Sequence, residues 1–116
     1  MSYEKDELMK TAAGRRLIAY LTIFNKGNME RIHDYIRDNY SDQAFETRSQ
    51  DEWLQWTEDI QAQVNKLRIH QIVAADDYHI VVLVQAQKDS AFYMCDYKVD
   101  DDFPHKVLTY THQAVG

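Results

Sequence analysis

The chain contains few of the residues that bring disulfides, metal sites or frequent breaks in the backbone. It has one cysteine, Cys95, one proline and three glycines in 116 residues. A single cysteine cannot close an intrachain disulfide, and a structural zinc site needs several such ligands. We therefore expect no disulfide framework and no metal centre, and nothing in the sequence indicates a cofactor.

Long apolar runs and clustered positive charges are also missing. No stretch approaches the roughly 18 to 20 apolar residues of a membrane-spanning helix, and the first residues lack a basic segment followed by an apolar one. The formal net charge of -6 and the scattered cations disfavour a nucleic-acid partner, because phosphate contacts depend on lysine and arginine. The expectation is a cytoplasmic protein that binds neither membranes nor nucleic acid.

The composition itself is that of an ordinary globular protein. Hydrophobic residues make up 45% and charged residues 28%, and a length of 116 residues suits one domain with one core. No internal repeat, low-complexity segment or linker interrupts the sequence. These features predict a single domain over residues 1–116.

Apolar residues at helical spacing predict two helices at the start of the chain. The first covers about residues 4–25, and Gly27 is placed to end it because glycine enters the left-handed conformation without strain. Asn28 can cap the second helix through its side-chain oxygen. The predicted buried stripe of the first helix consists of Met9, Ala13, Leu17, Tyr20, Leu21 and Phe24.

A third helix has the most distinct beginning. Ser49 and Glu52 fit a capping box, in which each side chain bonds the backbone amide of the other residue. The preceding residues 41–50 are mostly polar and are predicted as a loop with a short edge strand at about 45–48. One face of the third helix gathers apolar residues, namely Trp53, Trp56, Ile60, Val64 and Leu67.

Four strand-like segments make up the second half of the chain, at about residues 67–75, 78–87, 91–99 and 105–113. The second is rich in β-branched residues and is predicted to be central. Residues 76–77 and 88–90 are short polar links of the kind that close hairpins. The strands should therefore run antiparallel in chain order, which gives an α+β fold of three helices followed by a meander.

This order of elements, together with several short segments, carries a resemblance to a known superfamily. The segments are Asn-Lys-Gly-Asn at 25–28, Arg-Ser-Gln-Asp-Glu-Trp at 48–53, and Val-Asp followed by Pro-His-Lys-Val-Leu at the end of the chain. Together they resemble the nuclear-transport-factor-two-like superfamily, also called SnoaL-like or cystatin-like. The resemblance covers essentially the whole chain and is strongest to the small domains of this type beside bacterial serine hydrolases.

The resemblance implies three helices on a curved antiparallel sheet of four or more strands, shaped as a cone with an open mouth. Superfamily members include isomerases, dehydratases and cyclases as well as non-enzymatic dimers, so the fold alone does not select a function. Ketosteroid isomerase chemistry needs an acid set in an apolar pocket. In this chain Asp96 shares its strand face with Phe92 and Met94, and no acid lies in the predicted inward row.

Other candidate groups have ordinary structural explanations. Cys95 would need a neighbouring base and an electropositive setting to act as a nucleophile. His33 and Asp34 are adjacent on a helix and point in different directions. Asp100 to Asp102 lack the spacing and the turn glycine of a calcium loop. Three strand histidines, His70, His79 and His112, would meet only in particular registers, and no catalytic residue is assigned.

Aromatic residues predict a pocket. Alternation along residues 91–99 turns Tyr93, Cys95 and Tyr97 toward the helices, where aromatic residues of the first and third helices also point. Tyrosine and tryptophan combine apolar bodies with a polar tip, as small-molecule sites require. The predicted ligand-binding residues for a small apolar ligand are Tyr20, Trp53, Trp56, Tyr93 and Tyr97. The alternative is a filled core whose hydroxyls are satisfied internally.

Apolar residues on the opposite face of the sheet predict a homodimer. The second strand is apolar on both faces, although the helices can cover only one of them. A two-fold axis would place the uncovered patch against itself. The predicted dimer interface consists of Val81, Leu83, Phe92 and Met94.

Two functions remain open from the sequence. The first is a non-catalytic small-ligand-binding or accessory domain that forms a homodimer through the sheet. The second is a SnoaL-like enzyme, a cyclase, isomerase or dehydratase, acting on a small apolar substrate in the cone cavity. A strongly perturbed acid or histidine in a cavity would favour the enzyme, whereas a filled core would remove the pocket from both.

Overall fold

The computed structural model describes residues 5–115 of the chain. Within these residues, five helices precede four strands. The helices are α1 (Lys5–Met9), α2 (Ala12–Lys26), α3 (Met29–Asn39), α4 (Asp42–Thr47) and α5 (Gln50–Val64). The strands are β1 (Leu67–Ala75), β2 (His79–Ala86), β3 (Phe92–Val99) and β4 (Val107–Val115). None of these helices is long and apolar enough to cross a bilayer.

The sheet is an open antiparallel meander with strand order β1-β2-β3-β4. Short polar links between the strands produce this order, since they leave no length for a crossover. Strands β2 and β3 are therefore interior, and β1 and β4 form the two edges. The α+β class and the antiparallel chain order are confirmed.

The predicted first helix is wrong in its continuity, because the structure breaks it into α1 and α2. Thr11 caps α2 by accepting a hydrogen bond from the Gly14 amide at 2.8 Å, so a new helix begins there with its own axis. A Cβ at position 14 would collide with the Leu8 carbonyl. Because Gly14 has no side chain, α1 can lie close to α2. Leu8 is fully buried, whereas Met9 is 41% exposed and leaves the predicted stripe. The predicted start at Glu4 lies outside the described residues.

Residues 41–50 were predicted as a loop with a short edge strand at 45–48, and this prediction is wrong. They contain α4, which begins because the Ser41 hydroxyl accepts a hydrogen bond from the Ala44 amide at 3.2 Å. Only Ala44 is fully buried on this short helix, so no helical periodicity marks it in the sequence. Residues 5–115 contain two more helices than predicted. The predicted strand boundary at Leu67 is confirmed, and α5 ends at Val64, so Leu67 does not belong to the face of that helix.

The other helix boundaries follow the predicted caps. Gly27 ends α2 in the left-handed conformation with φ 71, and Asn28 accepts a hydrogen bond from the Arg31 amide at the start of α3. The capping box of α5 is complete: the Ser49 amide donates to Glu52 at 2.9 Å, and the Glu52 amide donates to the Ser49 hydroxyl at 3.2 Å. These predictions are confirmed.

The two faces of the sheet separate as strand alternation predicts. We call the face under the helices the inner face and the opposite one the outer face. Buried inner-face residues of the two interior strands are Ile80, Val82, Val84, Ala86, Tyr93, Cys95, Tyr97 and Val99. The alternating outer-face residues, which include Leu83 and Met94, remain partly exposed.

Candidate functional site: the aromatic core

Aromatic side chains from the helices and the inner face meet in one cluster, which we call the aromatic core. The helical stripe of α2 supplies Tyr20, and α5 supplies Trp53 and Trp56. Tyr20, Trp53, Tyr93 and Tyr97 are buried, whereas Trp56 is half-buried. The periodicities used in the sequence analysis therefore place these side chains on the faces that were predicted.

The structure brings some of the five predicted pocket residues together directly and others only through intermediaries. The ring centroids of Tyr20 and Tyr97 are 6.2 Å apart, and those of Trp53 and Trp56 are 5.3 Å apart. Tyr110 joins the two pairs, with centroid distances of 5.1 Å to Tyr20, 5.1 Å to Tyr97 and 5.2 Å to Trp56.

Two parts of this arrangement were not anticipated. Tyr93 stands apart from the other four and stacks on His112 at 4.5 Å. Tyr110, at the centre of the cluster, was missed because strand alternation was applied to β3 and not to β4. In β4 the same alternation puts Tyr110 and His112 on the inner face, opposite Tyr97 and Cys95.

Within the described residues, only some of the tyrosine hydroxyls and indole N–H groups of the aromatic core have hydrogen-bond partners. The Tyr35 hydroxyl donates to the Arg16 carbonyl at 2.8 Å and lies 3.4 Å from the Tyr97 hydroxyl. Trp53 donates from Nε1 to the Ala44 carbonyl at 3.0 Å. The Tyr20 and Tyr40 hydroxyls have no partner among residues 5–115.

Burial keeps the core tyrosines neutral. Desolvation raises the pKa of Tyr20 and raises the pKa values of Tyr40, Tyr97 and Tyr110 well above the ordinary value, since a buried phenolate would lose its hydration. These hydroxyls can donate hydrogen bonds at physiological pH, but none is activated as a base or nucleophile.

Arg48 stacks on both rings of the tryptophan pair. Its guanidinium carbon lies 4.6 Å from the ring centroid of Trp53 and 4.5 Å from that of Trp56. Both distances fall in the range of cation–π contacts. A small molecule entering beside Trp56 would have to displace this guanidinium.

Three grooves in the described part of the chain lie away from the aromatic core. One has a volume of about 640 Å³ and runs beside α2 and β1, and the other two lie near α5 and near the β3–β4 loop. None of the three is lined by the five predicted pocket residues. The ligand-binding role of those residues stays a prediction.

Cys95 and His112 are neighbours on the inner face, with Sγ and Nδ1 3.5 Å apart. Burial raises the pKa of the Cys95 thiol to about 12, and burial lowers the pKa of His112 to about 4. Both groups are therefore neutral near pH 7, and the pair does not form the thiolate and imidazolium that nucleophilic catalysis requires. The Nε2 atom of His112 is buried and has no partner within residues 5–115.

The other strand histidines do not join His112. On the outer face, His79 Nε2 and Asp96 Oδ1 are 2.6 Å apart and both side chains are partly exposed. The His70 ring lies 5.1 Å from the Phe92 ring. The sheet thus separates the three histidines instead of assembling them into one site.

The carboxylates of Asp100, Asp101 and Asp102 converge in the exposed β3–β4 loop, where their oxygens lie within 4.8 Å of one another. One Asp100 carboxylate oxygen already accepts a hydrogen bond from the Asp102 amide at 2.9 Å. This hydrogen bond orders the loop itself. The cluster offers no built cation site, because exposed carboxylates without further ligands hold a hard cation poorly.

Comparisons with protein-family models, with curated proteins and with solved structures gave no match. The resemblance to the nuclear-transport-factor-two-like superfamily therefore stays a prediction from the short segments in the sequence and the order of the elements.

Proposed function

We propose that the chain is a non-catalytic accessory domain of the nuclear-transport-factor-two-like (SnoaL-like) type, and that it acts as a homodimer joined through the outer face. Two observations support the proposed superfamily: the sequence segments that resemble it, and the order of helices followed by an antiparallel meander. One observation carries the dimer. The outer face has an apolar centre on interior strands, and the helices pack on the other side.

The apolar centre is compact because its residues are paired across the strands. Leu83 lies directly opposite Met94, and Gln85 lies opposite Phe92. Phe92 is in turn paired with Val115, which is 47% exposed. Neighbouring side chains in such a ladder approach closely enough to form one continuous surface.

Polar groups border this centre. Asp96, opposite Val81 in the ladder, is held by His79 at 2.6 Å, and the side chain of Arg68 donates to Gln85 at 2.9 Å. An apolar centre with a polar rim is the usual composition of a protein interface. A two-fold axis parallel to the sheet, lying between two facing outer faces, would bring Val81, Leu83 and Met94 against their counterparts.

The accessory role is favoured over ligand binding in the core. Four of the five predicted pocket residues are buried against other aromatic rings, and the Arg48 guanidinium stacks on the two tryptophans. A core packed in this way stabilises the fold without leaving room for a ligand.

The dimer is tested by placing charges at its centre. Leu83→Lys combined with Met94→Lys should give a folded monomer at micromolar concentration, because two lysines per subunit would be buried without partners. The matched control is Gln43→Lys with Gln63→Lys, which adds the same charge at exposed positions on α4 and α5 and should leave the dimer intact. Sedimentation velocity reports the mass, and circular dichroism reports folding. An unmodified protein that sediments as a monomer throughout this range would refute the interface.

A SnoaL-like enzyme remains the second candidate, and His112 is the observation that favours it. Its imidazole is neutral near pH 7, and its Nε2 is a buried group without a partner among residues 5–115. A pKa of about 4 nevertheless makes it a weak general base. Buried carboxylates are absent from the core of the described chain. The enzyme therefore ranks below the accessory dimer.

A further inference from the structure

A groove of about 640 Å³ lies between α2 and the beginning of β1, at an edge of the sheet. Ile18 and Leu21 of α2 and Leu67 and Ile69 of β1 give it apolar walls. Its volume falls in the range of roughly 300 to 1,000 Å³ that small-molecule sites occupy. The groove is separate from the aromatic core, and it reaches the rim of the outer face, because Arg68 and Gln85 line it as well.

Hydrogen bonds hold the groove in shape. The Leu67 amide donates to Asn25 Oδ1 at 2.8 Å, and Asn25 Nδ2 donates back to the Leu67 carbonyl at 2.9 Å. Beside it, the Gln87 amide donates to the Lys66 carbonyl at 2.9 Å. These contacts tie α2, β1 and the β2–β3 turn together, so a ligand would meet preformed walls and lose less conformational entropy on binding.

The charges around the groove are all positive. Lys5, Lys66 and Arg68 line it, and no carboxylate does. Within residues 5–115, none of the three forms an ion pair. Arg68 uses one nitrogen to donate to Gln85 at 2.9 Å, which leaves other guanidinium donors available. This groove is thus opposite in sign to the protein as a whole, whose formal net charge is -6.

We propose that this groove binds an amphipathic carboxylate of the medium-chain fatty acid type. Its aliphatic chain would lie against Leu21, Leu67 and Ile69, and its carboxylate would pair with Lys66 and Arg68. The apolar walls account for the chain, and the unpaired cations account for the charge, since charge-assisted hydrogen bonds to carboxylates are among the stronger polar contacts. The proposal needs the groove of one subunit alone, although Arg68 also borders the proposed dimer interface.

Three probes test the contributions of the aliphatic chain and of the carboxylate charge separately. Octanoate carries chain and charge, 1-octanol carries the chain alone, and acetate carries the charge alone. In ¹⁵N-edited NMR titrations of the full chain, octanoate should give saturable shifts at the amides of Leu67 and Ile69. Acetate should give none there, and 1-octanol should bind more weakly than octanoate.

A charge-matched pair of double variants tests the cations. Lys66→Gln with Arg68→Gln should weaken octanoate binding about five- to tenfold, through loss of the charge-assisted contacts. Lys26→Gln with Lys98→Gln removes the same charge at exposed positions outside the groove and should leave the affinity unchanged. Equal weakening in both variants, equal affinity for 1-octanol and octanoate, or shifts centred on Trp53 and Tyr97 instead would each overturn the proposal.

Discussion

The inner and outer faces of the sheet come from the same strands but are stabilised in different ways. Along β2, Val82 is fully buried under the helices, while the adjacent Val81 points to the other side and stays partly exposed. The inner face therefore contributes to folding within one chain. The outer face contributes little until another surface covers it, because apolar area stabilises only when it leaves water.

The largest expected effect compares these two valines directly. Val82→Ala should lower the free energy of unfolding by about 2 kcal/mol, because it removes buried methyl groups and leaves a cavity. Val81→Ala loses the same strand propensity but less buried area, so its cost should stay below about 1 kcal/mol. Urea denaturation at low protein concentration measures both.

Repeating the urea denaturation of both valine variants at high protein concentration tests whether the outer face forms the dimer. If the outer face is the dimer interface, the cost of Val81→Ala should grow with concentration, since dimerisation adds to stability by mass action. The cost of Val82→Ala should stay nearly constant. Equal costs for the two variants at low concentration would mean that the faces do not differ as described.

A pH dependence provides the second test of the inner face. Burial lowers the pKa of His112 from the ordinary 6.5 to about 4, so the unfolded chain takes up the proton first. The stability contributed by neutral His112 is fully present above pH 6.5 and is lost as the pH falls toward 4. Because the ring is only partly buried, solvent screening reduces the expected loss to the order of 1–2 kcal/mol.

A substitution isolates this residue from the other titrating groups. His112→Phe keeps an aromatic ring beside Tyr93 and should show a smaller loss of stability between pH 7.5 and pH 5 than the unmodified protein. His33→Gln, on α3, should leave the loss unchanged. Urea denaturation at the two pH values measures the difference. An identical pH dependence in His112→Phe would show that His112 is solvated in the native protein.

How much the sequence predicts differs between the two halves of the chain. The strands follow from alternation and short polar links, which act locally, and the meander leaves little topological choice. The break at Thr11 and the short helix α4 depend on single capping hydroxyls and on a close approach at Gly14. Such features leave no periodic pattern, so the sequence alone did not predict them.

The aromatic core shows the same limit. Alternation placed Tyr93 and Tyr97 on the inner face, but it could not say which rings would touch. That depends on the register of β3 with β4, which pairs Tyr97 with Tyr110 and Cys95 with His112. Register is set by the whole sheet and by the β4 bulge near Val107, so the central position of Tyr110 became visible only in three dimensions.

The smallest expected effect concerns two tyrosines of the aromatic core, Tyr35 and Tyr40. Comparing them tests whether the core between the helices and the inner face excludes water. The Tyr35 hydroxyl donates to the Arg16 carbonyl at 2.8 Å, whereas the Tyr40 hydroxyl has no partner among residues 5–115. Tyr35→Phe should cost about 1 kcal/mol, because the hydrogen bond to the Arg16 carbonyl is lost. Tyr40→Phe should be neutral or stabilise by up to about 1 kcal/mol, since it removes a buried group that pays a desolvation penalty without a compensating bond. Thermal and urea denaturation measure the free energy of unfolding of the two variants.

If Tyr40→Phe lowers stability as much as Tyr35→Phe, the Tyr40 hydroxyl has a partner such as a buried water. The core would then contain water at a point where a polar group of a ligand could also bind.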